Sequence, residues 1–119
     1  MRITLRAIDQ ANFRDCIDLK VSPDQEPFVA PNVFSLAQAK ANPLLTPLAI
    51  YDGSICGHEP GENDPMVGFL MYQIMDGVGF VVRMMIGSPY QKRGYGRAAM
   101  VEVIRRFKLM PEIEYIGTS

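Results

Sequence analysis

The chain has 119 residues, 48% hydrophobic and 21% charged, close to the averages of a soluble globular protein, which excludes a disordered chain, a collagen and a coiled coil. Lys plus Arg is 12 and Asp plus Glu is 13, a net charge of −1, without the basic excess of a duplex nucleic-acid binder. One domain over 1–119 is the expectation, because two would each have an undersized core.

Ile3, Leu5 and Ala7 alternate with polar residues and predict a half-buried strand. Asp9 then caps a helix whose stripe is Phe13, Cys16, Ile17 and Val21, stopped by Ser22-Pro23. Residues 23–31 read as irregular, and Ser35 as the cap of a second helix over 36–41. Residues 48–51 predict a strand closed by an Asp52-Gly53 hairpin turn. Residues 57–65 (GHEPGENDP) are polar and read as a surface loop. Residues 66–75 and 79–86 are apolar strands around an Asp76-Gly77 turn and belong in the sheet interior. Gly96, Ala99, Met100, Val103, Ile104 and Phe107 stripe a helix that Pro111 ends, and 113–116 begins a last strand. The order is β-α-α-β-β-β-α-β, a mixed sheet with helices packed on it.

Two cysteines, Cys16 and Cys56, are too few for a disulfide scaffold, and both are expected reduced, as in a cytoplasmic protein. No apolar run is long and uninterrupted enough for a signal peptide or a membrane span, so no membrane partner is expected.

The chemistry concentrates in Gln91, Lys92, Arg93, Gly94, Tyr95, Gly96 and Arg97, between a buried strand and a helix. A helix start leaves backbone N–H groups without partners and carries the positive dipole end. Glycines let a phosphate approach the backbone, and three cations surround them, so the segment reads as a pyrophosphate cradle. Residues 94–99 also match the dinucleotide pattern G-x-G-x-x-A, with Glu114 where a ribose-binding acid would fall. The linker 87–93 separates that pattern from its strand, and no second nucleotide-binding half follows. A Walker-type loop is excluded, since no Gly-Lys-Ser/Thr triplet exists.

Residues 86–100 (IGSPYQKRGYGRAAM) resemble motif A of the GNAT superfamily of N-acetyltransferases, with its core Gln/Arg-x-x-Gly-x-Gly/Ala. Asp52-Gly53 and Val67-Gly68-Phe69 stand where that family has its second and third strands. Residues 25–36 (QEPFVAPNVFSL), and Met71-Tyr72 set against Arg83, Met84, Met85 and Ile86, resemble the bacterial spermine/spermidine acetyltransferase branch. The resemblance implies an α/β (α+β) fold: a mixed, mostly antiparallel central sheet with helices on both faces. It also implies acetyl transfer from acetyl-CoA, as cosubstrate, to a small-molecule primary amine such as spermidine or spermine. The pantetheine arm would pair with Met84, Met85 and Ile86, where a bulge aims a backbone N–H at the thioester carbonyl. The pyrophosphate would meet the amides and side chains of Gln91, Lys92, Arg93, Gly94, Tyr95, Gly96 and Arg97.

An ammonium must lose a proton before it can attack, and Glu26, Asp52 and Asp76 are candidates to take it, Glu26 first because its segment would cover the acceptor site. Val82 and Arg83 stand where some polyamine transferases carry acids. Tyr51 and Tyr72 read as core or as acceptor-channel residues. His58, among Glu59, Glu62 and Asp64, shows no metal-ligand spacing, and no metal is expected. Family members continue past the fifth strand into a helix with a thiolate-protonating tyrosine and two closing strands. Tyr115 comes too early for that role, so the sequence reads as a C-terminally truncated transferase expected to self-associate as a dimer. The alternative reading is a non-catalytic acetyl-CoA-binding or oligomerising fragment of the same fold.

Overall fold

The computed structural model describes residues 2–53 and 64–118. Five strands, β1 (Ile3–Ala7), β2 (Leu45–Asp52), β3 (Met66–Met75), β4 (Val78–Ile86) and β5 (Tyr115–Thr118), form one sheet in the order β1-β2-β3-β4-β5. The first four are antiparallel neighbours, and β5 runs parallel to β4. Helices α1 (Phe13–Asp18) and α2 (Asn32–Ala41) cover one face and α3 (Tyr95–Lys108) the other. The central strand β3 is buried on both faces along its first seven residues, as its unbroken apolar run predicts. Leu70, Tyr72, Val81, Ala99, Val103 and Phe107 pack on the α3 side, with Tyr72 edge-on to Phe107 at 5.1 Å between ring centroids. Cys16, Ala49, Phe69, Met71 and Met85 fill the α1/α2 side. Burial in this second core pushes the Cys16 thiol up to about 11.

Several local expectations shift for tertiary reasons. Asp9 does accept from free N–H groups, those of Ala11 (2.8 Å) and Asn12 (3.1 Å), but in the turn ahead of α1. The helix ends at Asp18 and leaves Val21 outside, because Leu19 turns extended and the Lys20 carbonyl accepts from the Ser88 N–H at 2.7 Å. Helix α2 starts at Asn32, not after Ser35; Ser35 is buried inside it and meets Arg83 instead of capping. Strand β2 begins at Leu45 and includes Pro47, which lies beyond the last β1 pair, Ala7 with Leu48, where no ladder partner on that side needs an N–H. Asp52-Gly53 is not a two-residue hairpin turn: Asp52 ends β2, pairs with Ile3 and donates its N–H to the Pro65 carbonyl. Residues 54–63 lie outside the described residues, and with them Cys56, His58, Glu59 and Glu62; Asp64 is described, buried and paired with Arg6. The Asp76-Gly77 turn is as expected, with φ of 53° and 79°, the left-handed pair of a tight hairpin. Strand β5 starts two residues later than 113, because the Glu114 and Tyr115 N–H groups both reach the Gly77 carbonyl first.

Candidate functional site

Strand β4 is where the sheet stops being regular. Its register against β3 breaks between the pairs Met71–Arg83 and Tyr72–Val81, so Val82 is an extra residue on β4. A bulge of this kind suspends the alternation of side chains. Val81 packs toward α3, whereas Val82 and Arg83 both lie toward α2, and Met84 returns to the α3 side. The bulge thus stands at Val82, just before the stretch 84–86 that the sequence points to. The parallel ladder with β5 pairs Val78 to Val81 with Tyr115 to Thr118.

Three adjoining hollows follow this stretch. One of about 360 Å³ runs between Gln25, Phe28 and Val29 on one side and Met84, Met85, Ile86 and Gln91 on the other. A second, about 420 Å³, continues past Val82 and Arg83 to Met100 and Thr118. A third, about 270 Å³, opens toward Lys20, Glu26, Pro31 and Asn32, with Met85 at its base. Glu26 sits exposed on a short 3-10 turn (Glu26–Phe28) and is the only carboxylate lining any of the three among the described residues. The other two base candidates are elsewhere. Asp76 is in the far hairpin, about 25 Å along β4 from Met84 at strand rise. Asp52 is buried at 3% exposure, and Tyr51 and Tyr72 pack in the core, Tyr51 under the Arg6 guanidinium.

The loop after β4 is shaped by hydrogen bonds that reach across the chain. The Gly87 N–H donates to the Val67 carbonyl at 2.8 Å, and Gln91 Nε2 donates to the Ile86 carbonyl (2.9 Å) and to Gln25 Oε1 (2.8 Å). Gln91 therefore ties the loop to the strand it left and to the segment facing it. Lys92 and Gly94 take left-handed φ of 63° and 88°, and Gly94 is the N-cap of α3. A left-handed residue followed by a helical one lets successive N–H groups face a single anion. Lys92, Arg93, Gly94 and Arg97 are exposed there. A Cβ on Gly96 would meet only Ile86 at 3.8 Å, so nothing in the protein demands glycine at that position and the space is open to a ligand. These residues fit a pyrophosphate: helix N–H groups, room at Gly96 and three cations.

Tyr95 contributes its N–H to this loop but not its ring. The ring is buried, edge-on to Tyr90, and its hydroxyl donates to Asp52 Oδ2 at 2.6 Å. The hydrogen bond to Asp52 and then burial raise the Tyr95 hydroxyl above its ordinary value of 10.0. Asp52, a base candidate from the sequence, is instead a positioning residue that anchors the first turn of α3 to β2. No local signal could reveal a pair separated by 43 positions.

The model of the acetyltransferase (GNAT) family matches residues 13–118, and the chain belongs to that family. It is an N-acetyltransferase of a fold that takes acetyl-CoA as cosubstrate. Among solved structures it resembles a spermidine N-acetyltransferase chimera from Vibrio cholerae and hSSAT (12% identity, TM-score 0.66, 98% of this chain and 68% of that one). A GNAT family acetyltransferase from Staphylococcus aureus gives 16% identity and TM-score 0.66 over 100% of this chain and 87% of that one. An aminoglycoside acetyltransferase from an uncultured soil metagenomic sample, in complex with sisomicin, gives 14% and 0.63 over 99% and 76%. No curated protein sequence matches the chain. At these identities the structural likeness speaks for the fold alone.

Proposed function

We propose that the chain acetylates a primary amine, with acetyl-CoA laid along Met84, Met85 and Ile86 and its pyrophosphate held by the 91–97 loop. The observation that carries this reading is the loop that opens α3, with left-handed Lys92 and Gly94 and exposed Lys92, Arg93 and Arg97, next to a hollow lined by Met84, Met85, Ile86 and Gln91. An extended pantetheine arm can add to a strand edge as another strand does, while Lys92, Arg93 and Arg97 neutralise the diphosphate. Glu26 takes one proton from the acceptor ammonium and frees the nitrogen lone pair. The nitrogen attacks the thioester carbon, the C–N bond forms, the C–S bond breaks, and the second nitrogen proton ends on the departing sulfur. Tyr95 enters this scheme through its backbone and through the helix it anchors.

The resemblance of residues 25–36 and the spermidine acetyltransferase neighbour support a polyamine acceptor. The lining of the hollows supports a less cationic one, since it sets Glu26 against Lys20 and Arg83. A reducing, cytoplasmic setting accords with two cysteines in 119 residues. Tyr115 is 69% and Ile116 41% exposed on the outer strand β5, which supports pairing of two copies. Light scattering should then give a dimer, and a monodisperse monomer removes that part. Calorimetry with CoA, followed by thiol release with spermidine, spermine and simple monoamines, tests the whole. Binding with no thiol release for any amine would return the chain to the non-catalytic reading, and no CoA binding would overturn both.

A further inference from the structure

Arg83 is a half-buried cation held by neutral partners. Its Nη1 donates to Ser35 Oγ (3.1 Å) and to Gln38 Oε1, both neutral, and its guanidinium lies 5.3 Å from the centre of the Phe34 ring. Among the described residues no carboxylate forms an ion pair with it. Taking a guanidinium partly out of water without an opposite charge is costly, and it is the arrangement that an incoming anion relieves. Three features hold the group in place for that purpose rather than leave it to solvent. The Val82 bulge turns Arg83 to the α2 side, α2 grips one nitrogen, and Phe34 lies against the guanidinium. The fork's remaining donors suit a carboxylate, which takes two parallel N–H bonds.

We propose that Arg83 sets the acceptor class, so that the amine acetylated here also carries a carboxylate, as an amino acid does. This deepens the acetyl-transfer reading and rests on it. Arg83 directly precedes Met84, the start of the stretch assigned to the pantetheine arm, and lines the hollow that continues from there. A carboxylate held by Arg83 therefore leaves the amine of the same small molecule near the thioester. Glu26, lining the neighbouring hollow, is the complementary charge for the ammonium. A polyamine offers nothing to Arg83 and is repelled by it.

Matched acceptor pairs that differ only in the carboxylate test this: phenylalanine against phenethylamine, ornithine against putrescine, lysine against cadaverine. Thiol release with the full chain should favour the carboxylate-bearing member by about tenfold or more in kcat/KM, the scale of one hydrogen-bonded charge contact. Arg83→Gln should erase the preference, and Arg83→Lys should keep part of it, with CoA affinity and far-UV circular dichroism unchanged in both. The same pairs titrated against CoA-loaded protein give a readout that needs no turnover. Equal preference within each pair, binding of neither member, or a preference that survives Arg83→Gln overturns the assignment while leaving CoA binding intact. Loss of CoA binding in the unaltered chain would instead remove the reading beneath it.

Discussion

The two walls of the cleft are assembled in opposite ways. The wall proposed for the cofactor is one continuous stretch, the end of β4, the loop 87–94 and the first turn of α3. The wall proposed for the acceptor gathers Lys20 from beyond α1, Gln25, Glu26 and Phe28 around a 3-10 turn, Asn32 from α2 and Arg83 from β4 itself. The first obeys local rules: left-handed φ at Gly94, free helix N–H groups, cations in register. The second exists only because Leu19 leaves the helical path and Gln25 meets Gln91. On the proposed reading, the cosubstrate is met by one compact stretch of sequence and the acceptor by residues spread along the chain.

The sharpest separation of the walls comes from Glu26→Gln. We expect kcat to fall about 10²–10⁴-fold, the range for one general base, with the CoA dissociation constant unchanged in calorimetry. Arg93→Ala combined with Arg97→Ala should do the reverse, weakening CoA about a hundredfold at low salt and less at high salt, because both cations are exposed. Gly94→Ala puts a Cβ at φ 88°, a strain of about 1–2 kcal/mol, and should weaken CoA about tenfold with the acceptor KM little altered. Gln25→Ala removes its hydrogen bond with Gln91 between the walls, leaves that of Asn32 Nδ2 with Met85 Sδ, and should raise the acceptor KM only a few-fold.

The scaffold beneath both walls has its own alkaline limit. The Cys16 thiol has an ordinary value of 9.0 and about 11 when folded, so the folded state holds its proton more tightly than the unfolded one. Stability from this group is complete below about pH 9 and declines as pH rises toward 11. Thermal melts of the native chain should fall over that window, and those of Cys16→Ala should fall less. Parallel curves would assign the decline to Tyr95 or to other groups.

The element order, the buried central strand, the Asp76-Gly77 turn and the cationic glycine loop were all legible in the sequence, since each is a pattern within a few neighbouring residues. The start of α2 was not. Ser35 has the chemistry of a cap, but Arg83, 48 positions away, takes its hydroxyl inside the helix. The same holds for Asp52, a turn residue by its Asp-Gly neighbourhood and a buried anchor for Tyr95 in fact.

What the amino-acid order determined by itself was a cationic, glycine-bearing strand–loop–helix unit, because backbone conformation and charge there depend on contiguous residues. Only the tertiary structure decided which side chains face it. The bulge at Val82, the anchoring of α3 through Asp52 and the grip of Ser35 and Gln38 on Arg83 arise from contacts between distant segments, and packing rather than local preference selects among them.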